Sequence, residues 1–123
     1  MPSDVVRRIA YWDAKTEPEL VMQRLVRVRQ VMRERYRAQQ VMLVEIEQKA
    51  RGVLNAANVP AMLYIFYLNF AREVYNRRLR LAGPSLAREV NVLLEKWVGR
   101  TLEREVLERI RDEAMSVRAP EAE

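Results

Sequence analysis

Hydrophobic and polar positions follow one another along most of this chain with the period of an α-helix. From Val21 the apolar positions run Val21, Leu25, Val28, Met32, Tyr36, Leu43, Ile46, Ala50 and Leu54, in steps of three and four interrupted at Gln39. That is the stripe of one long amphipathic helix. Val21, Met32, Leu43 and Leu54 recur at a constant spacing of about 11 residues, a period that favours a straight or faintly right-handed course over a left-handed supercoil. A start is marked by Thr16-Glu17-Pro18-Glu19, where a hydroxyl can cap a free amide, a carboxylate follows three residues on, and proline is tolerated in the first turn. Asn55, Asn58 and Pro60 mark a turn, so the helix is predicted to stop near Ala57. At 1.5 Å per residue it is about 55 Å long, more than a compact domain of this size needs. Part of it is expected to overhang or to meet another subunit.

The next stretch, Val59 to Ala71 (VPAMLYIFYLNFA), is apolar on every side. A helix of that kind has to be covered all round, and this one is shorter than the roughly 20 residues that cross a bilayer, so its cover is expected to be protein. The predicted helix starts at Pro60 or Ala61 and runs to about Ala82, where Gly83-Pro84 supplies a stop signal. Its second half is basic and amphipathic, with Val74, Tyr75 and Leu79 turned inward. A third helix carries Leu86, Val90, Leu93, Leu94 and Trp97 on one face, while Leu102, Val106 and Ile110 fall on roughly the opposite one. One straight helix cannot bury both sets against one core. A break is therefore predicted at Gly99 to Thr101, with Gly99 in the left-handed conformation, Thr101 capping a last helix that runs to about Met115, and Glu103 and Glu105 in its first turn.

At the ends, a short helix is predicted over residues 2–12, capped by Ser3 or Asp4, with Val5, Ile9 and Trp12 on one side of an arm spanning 1–15. Residues 116–123 are expected to form a frayed polar tail. The fold expected is all-α: a single helical domain over 1–123, an antiparallel bundle built on one long N-terminal helix, a central apolar helix and two shorter C-terminal helices.

Composition narrows the possible chemistry. A chain of 123 residues that is 50% hydrophobic, with Gly 3 and Pro 5, supports one core. Cys 0 removes disulfides and thiolate metal sites, and His 0 removes the commonest metal ligand and general base. The first residues lack a basic segment followed by an apolar one and a small-residue cleavage site, so a cytoplasmic location is expected. The net charge of +5 rests on Lys+Arg 22 against Asp+Glu 17, and among the bases only Lys15, Lys49 and Lys96 are lysine. Arginine suits bidentate contact with phosphate or carboxylate, although a GC-rich or thermophilic host gives the same bias.

Arg24, Arg27, Arg29, Arg33, Arg35 and Arg37 crowd one part of the long helix, with only Glu34 among them. Arg29, Arg33 and Arg37 make one row at i, i+4 and i+8, and Arg24, Arg27 and Arg35 flank the apolar stripe on its other side. Like charges so spaced repel unless an anion offsets them, and nucleic-acid phosphate is one such partner. A solvated face paired with Glu103, Glu105, Glu108 and Glu113 is the alternative. Arg77, Arg78 and Arg80 form a second basic group at a helix end, where the helix dipole favours cations in any protein.

Tyr64, Phe66, Tyr67, Phe70 and Tyr75 are expected in the core rather than as a base-stacking platform, and Asn69 among them as a buried amide that sets the register of a helix pair. Glu45 with Glu47, and Glu103 with Glu105, lack the histidine a dimetal carboxylate site wants. No phosphate loop, nucleophile elbow or zinc spacing occurs, so no cofactor, metal or enzymatic activity is expected. Val26, Val31, Val41 and Val44 lie off the main stripe and are expected to form an oligomer interface. Two functions follow: a subunit whose arginines track a nucleic-acid backbone without reading sequence, or a homo-oligomeric protein scaffold without nucleic acid. Neither involves a membrane.

Overall fold

The computed structural model describes residues 17–100 and 102–120. The helix expected over 2–12, Thr16 of the capping box, Thr101 and residues 121–123 lie outside the described residues. The order of elements is α1 (Pro18–Ala56), a 3-10 turn (Ala61–Leu63), α2 (Tyr64–Arg78), α3 (Gly83–Trp97) and α4 (Arg104–Ser116). The chain divides into two compact units, Met1–Ala38 and Gln39–Glu123.

In the second unit four helices pack together. The apolar stripe of α1 contributes Met42, Ile46, Ala50, Val53 and Leu54, which are buried with Tyr67, Phe70, Ala71 and Val74 of α2, Leu86, Val90, Leu93 and Leu94 of α3, and Val106, Leu107, Ile110 and Ala114 of α4. Each large side chain so buried contributes about 1.5–3 kcal/mol. No polar or charged residue is buried among the described residues. Ion pairs tie the outer edges: Lys49 of α1 to Glu113 of α4 at 3.5 Å, and Arg72 of α2 to Glu47 of α1 at 3.0 Å.

α1 ends through its backbone. Asn58 takes a φ of 56°, a left-handed conformation that asparagine tolerates. The Val59 N–H then bonds back to the Leu54 carbonyl and the Asn58 N–H to that of Asn55, the reciprocal pair of a Schellman ending. The Tyr64 hydroxyl donates to the Asn55 side-chain oxygen and holds the start of α2 against the end of α1.

Four expectations are corrected here. The apolar segment is not covered on every side: Tyr67, Phe70, Ala71 and Val74 of α2 are buried, while Met62 of the 3-10 turn and Ile65 and Phe66 of α2 are 79%, 61% and 44% exposed. An apolar composition does not say which neighbours exist. Asn69 is exposed as well, so it is not a buried register-setting amide. α2 stops at Arg78, and Gly83-Pro84 opens α3 instead of closing α2. Proline in a first helical turn loses only an N–H that has no intrahelical partner, which makes this as good a start as a stop. Lastly, the residues after α4 are not wholly a frayed tail, because Val117 is 3% exposed and joins the core.

The break between α3 and α4 falls at Gly99, whose φ is 85°. Val98 leaves the helical region, and α4 opens at Arg104, with Glu103 as the N-cap and no side-chain cap. One open amide at that terminus is satisfied from outside: the Glu103 N–H donates to the Tyr67 hydroxyl at 2.9 Å. Tyr67 thus buries its ring in the core and uses its polar tip at the start of α4.

Candidate nucleic-acid interface

The basic segment of α1 is helical because its stripe residues recur at helical spacing and its first turn carries Glu19 at the positive end of the helix dipole. Arg24, Arg27, Arg29, Arg33, Arg35 and Arg37 are all exposed. Arg29, Arg33 and Arg37 make one row along the helix, and Arg24, Arg27 and Arg35 lie across the apolar stripe from it. Among the described residues, Arg27, Arg29, Arg33, Arg35 and Arg37 enter none of the ion pairs. Within the segment itself, Glu34 is the sole acid between Leu20 and Ala38. The stripe between the two arginine sets is open as well: Met32 is 42% and Tyr36 63% exposed.

The acids of α4 that could have neutralised these arginines are committed in part elsewhere. Glu113 pairs with Lys49, and Arg104, which forms a two-bond clamp on Glu95, also feels Glu108.

The second basic group has a different character. Arg78 is part-buried and its Nη1 donates to the Ala114 carbonyl at 2.7 Å, in the last turn of α4. Burial pulls this guanidinium below its usual range. A cation there completes an open carbonyl and sits at the negative end of the α4 dipole. Arg77 donates to the Glu73 carbonyl at 3.2 Å and lies 3.9 Å from Glu89 of α3. Both arginines therefore fasten helices of the packed unit to one another, and only Arg80 of the three is exposed.

Of the aromatic set, Tyr67, Phe70 and Tyr75 are buried and Tyr64 half-buried, as a core requires, while Phe66 is exposed. Trp97 donates its indole N–H to Glu73 at 2.7 Å and joins α3 to α2. Val26, Val31, Val41 and Val44 are 49%, 37%, 59% and 51% exposed. Among the described residues no group of three or more acidic side chains is placed to hold a metal ion, and no helix is long and apolar enough to cross a membrane.

Comparison of the chain with protein-family models, curated proteins and solved structures finds no match.

Proposed function

We propose that this protein is a non-enzymatic helical subunit that contacts nucleic-acid backbone through the arginine segment of α1. The observation that carries the reading is the row Arg29, Arg33 and Arg37, exposed and without an ion-pair partner among the described residues, on a helix whose like charges repel until an anion arrives. Successive members of such a row stand about 6 Å apart along the helix axis, so the row offers three cations in line to a charged backbone. Guanidinium groups bind phosphate bidentately, which gives affinity and register without sequence information.

The second reading, a homo-oligomeric scaffold without nucleic acid, is favoured by the exposed apolar residues Val26, Val31, Val41 and Val44. Equilibrium binding of the full chain to duplex and single-stranded DNA and RNA of scrambled sequence separates the two. Backbone contact gives binding that is indifferent to sequence and weakens as salt rises; no binding at low salt rejects it in favour of the scaffold.

A further inference from the structure

We infer that the nucleic acid taken by α1 is single-stranded and that Tyr36 is the side chain on which one of its bases stacks, an inference that rests on the backbone contact of the α1 arginines. Tyr36 is 63% exposed, and every residue of 29–37 is exposed, so neither the ring nor the arginines beside it are covered by the fold. The other described tyrosines are held by the packed unit. Tyr67 and Tyr75 are buried, and the half-buried Tyr64 gives its hydroxyl to Asn55. A surface on which bases stack has to be open, and among the described tyrosines Tyr36 meets that condition.

Its place on the helix sets the ring beside cations. Arg29, Arg33 and Tyr36 stand at i, i+4 and i+7 and share one side of α1. The ring is thus about 4.5 Å from Arg33 along the helix axis and about 10 Å from Arg29. Phe66 is exposed too, but no residue from Val59 to Ala71 is charged, so it lacks such neighbours in its own segment.

This combination selects the occupant. A purely apolar partner laid over Tyr36 would take the guanidinium groups of Arg29 and Arg33 out of water with no anion to meet them, which is costly. A duplex meets them with phosphate, but its bases are stacked on one another between two backbones and leave the ring without a partner. A single strand carries a phosphate and an open base face in every nucleotide, the two groups that a guanidinium and a ring within one helical turn can take together. Every base has a π face, so stacking on Tyr36 keeps the contact indifferent to sequence. DNA and RNA single strands share this chemistry.

Fluorescence anisotropy of the full chain with labelled oligomers of scrambled sequence tests the inference. The probes are single-stranded DNA, single-stranded RNA, a duplex, and an abasic strand that keeps the phosphates without the bases. Tyr36→Leu retains an apolar side chain and a good helix former but removes the π face, and it is expected to weaken single-strand binding by about five- to a hundredfold. Binding of the duplex and of the abasic strand should stay as in the parent, because both are held by the arginines alone. Tyr36→Trp should bind single strands as tightly as the parent or more tightly, and Phe66→Leu should leave all four probes unaffected. Stacking is uncharged, so the salt slope of single-strand binding should be the same in Tyr36→Leu as in the parent. A loss confined to DNA or to RNA would name the strand that the site takes. Four results would overturn the inference and leave the arginine contact standing: unchanged single-strand affinity in Tyr36→Leu, a loss shared equally by the duplex or abasic strand, an equal loss in Phe66→Leu, or a Tyr36→Trp variant as weak as Tyr36→Leu. No binding of any strand at low salt would overturn both.

Discussion

Adding one carbon to Gly99 and to Gly52 should shift stability in opposite directions, although neither substitution creates a clash. A Cβ built on either residue meets no heavy atom within 4 Å, so packing contributes nothing and the backbone decides. Gly99 sits at a φ of 85°, in the turn that lets α3 and α4 present Leu94 and Val106 to one core. An L-residue held in the left-handed region costs about 1–2 kcal/mol. The stiffer unfolded chain of an alanine variant also matters, and where the native backbone suits alanine that effect stabilises by about 0.4–1 kcal/mol. At Gly99 the strain outweighs it, and Gly99→Ala is expected to destabilise by about 1 kcal/mol. Gly52 is exposed inside α1 with helical backbone, where alanine is favoured by roughly 0.5–1 kcal/mol. With about 4–8 °C per kcal/mol for a domain of this size, thermal unfolding followed by circular dichroism resolves both shifts. Gly99→Ala should melt several degrees lower than the parent and Gly52→Ala several degrees higher. A rise for Gly99→Ala would mean that the helix runs through this position, and it would refute the break.

Two further perturbations separate structural from binding charge. Arg78→Met removes the donor to the Ala114 carbonyl and the cation at the end of α4, so it should cost about 1 kcal/mol in urea unfolding and leave nucleic-acid affinity unchanged; a loss of affinity without a loss of stability would contradict the capping role. The clamp of Arg104 on Glu95, at 2.6 and 2.8 Å, holds that carboxyl below its usual range, chiefly through the hydrogen bond. A depressed carboxylate contributes stability that is fully present above the ordinary glutamate range and lost as pH falls through its folded value. Glu95→Gln should therefore remove part of the acid dependence of unfolding and leave the neutral-to-basic limb parallel to the parent; an unchanged acid limb would count against the clamp.

Much of this architecture is legible in the sequence wherever a periodic stripe meets a residue with a special backbone need. The stripe from Val21 to Leu54 and the turn residues Asn55, Asn58 and Pro60 place α1 to within a residue at its C-terminus. Gly99 marks the α3–α4 break because the apolar sets on its two sides cannot share a face. What the sequence does not specify is what covers a face. Ile65 and Phe70 look alike in an apolar run, yet Phe70 is fully buried in the core while Ile65 is exposed, and only the packing distinguishes them. Gly83-Pro84 is similarly ambiguous, since glycine and proline punctuate either end of a helix.

The candidate site divides along the same line. The row Arg29, Arg33 and Arg37 follows from spacing alone. That Arg77 and Arg78 fasten helices together does not, because Glu89 and the Ala114 carbonyl come to them only through the fold. The outward signal at Met62, Ile65 and Phe66 is present in their spacing but is masked by the apolar residues between them.

The most direct test of nucleic-acid contact by α1 is the salt dependence of binding to a duplex of scrambled sequence, measured for the parent chain and for a variant with Arg29, Arg33 and Arg37 all replaced by glutamine. Each phosphate contact contributes a slope of about −0.9 to the logarithm of affinity against the logarithm of salt concentration. Loss of three contacts should flatten that slope by about 2.7 while far-ultraviolet circular dichroism stays that of the parent. A parent chain that does not bind at low salt, or a variant whose slope equals the parent's, would contradict the arginine row as the contact surface.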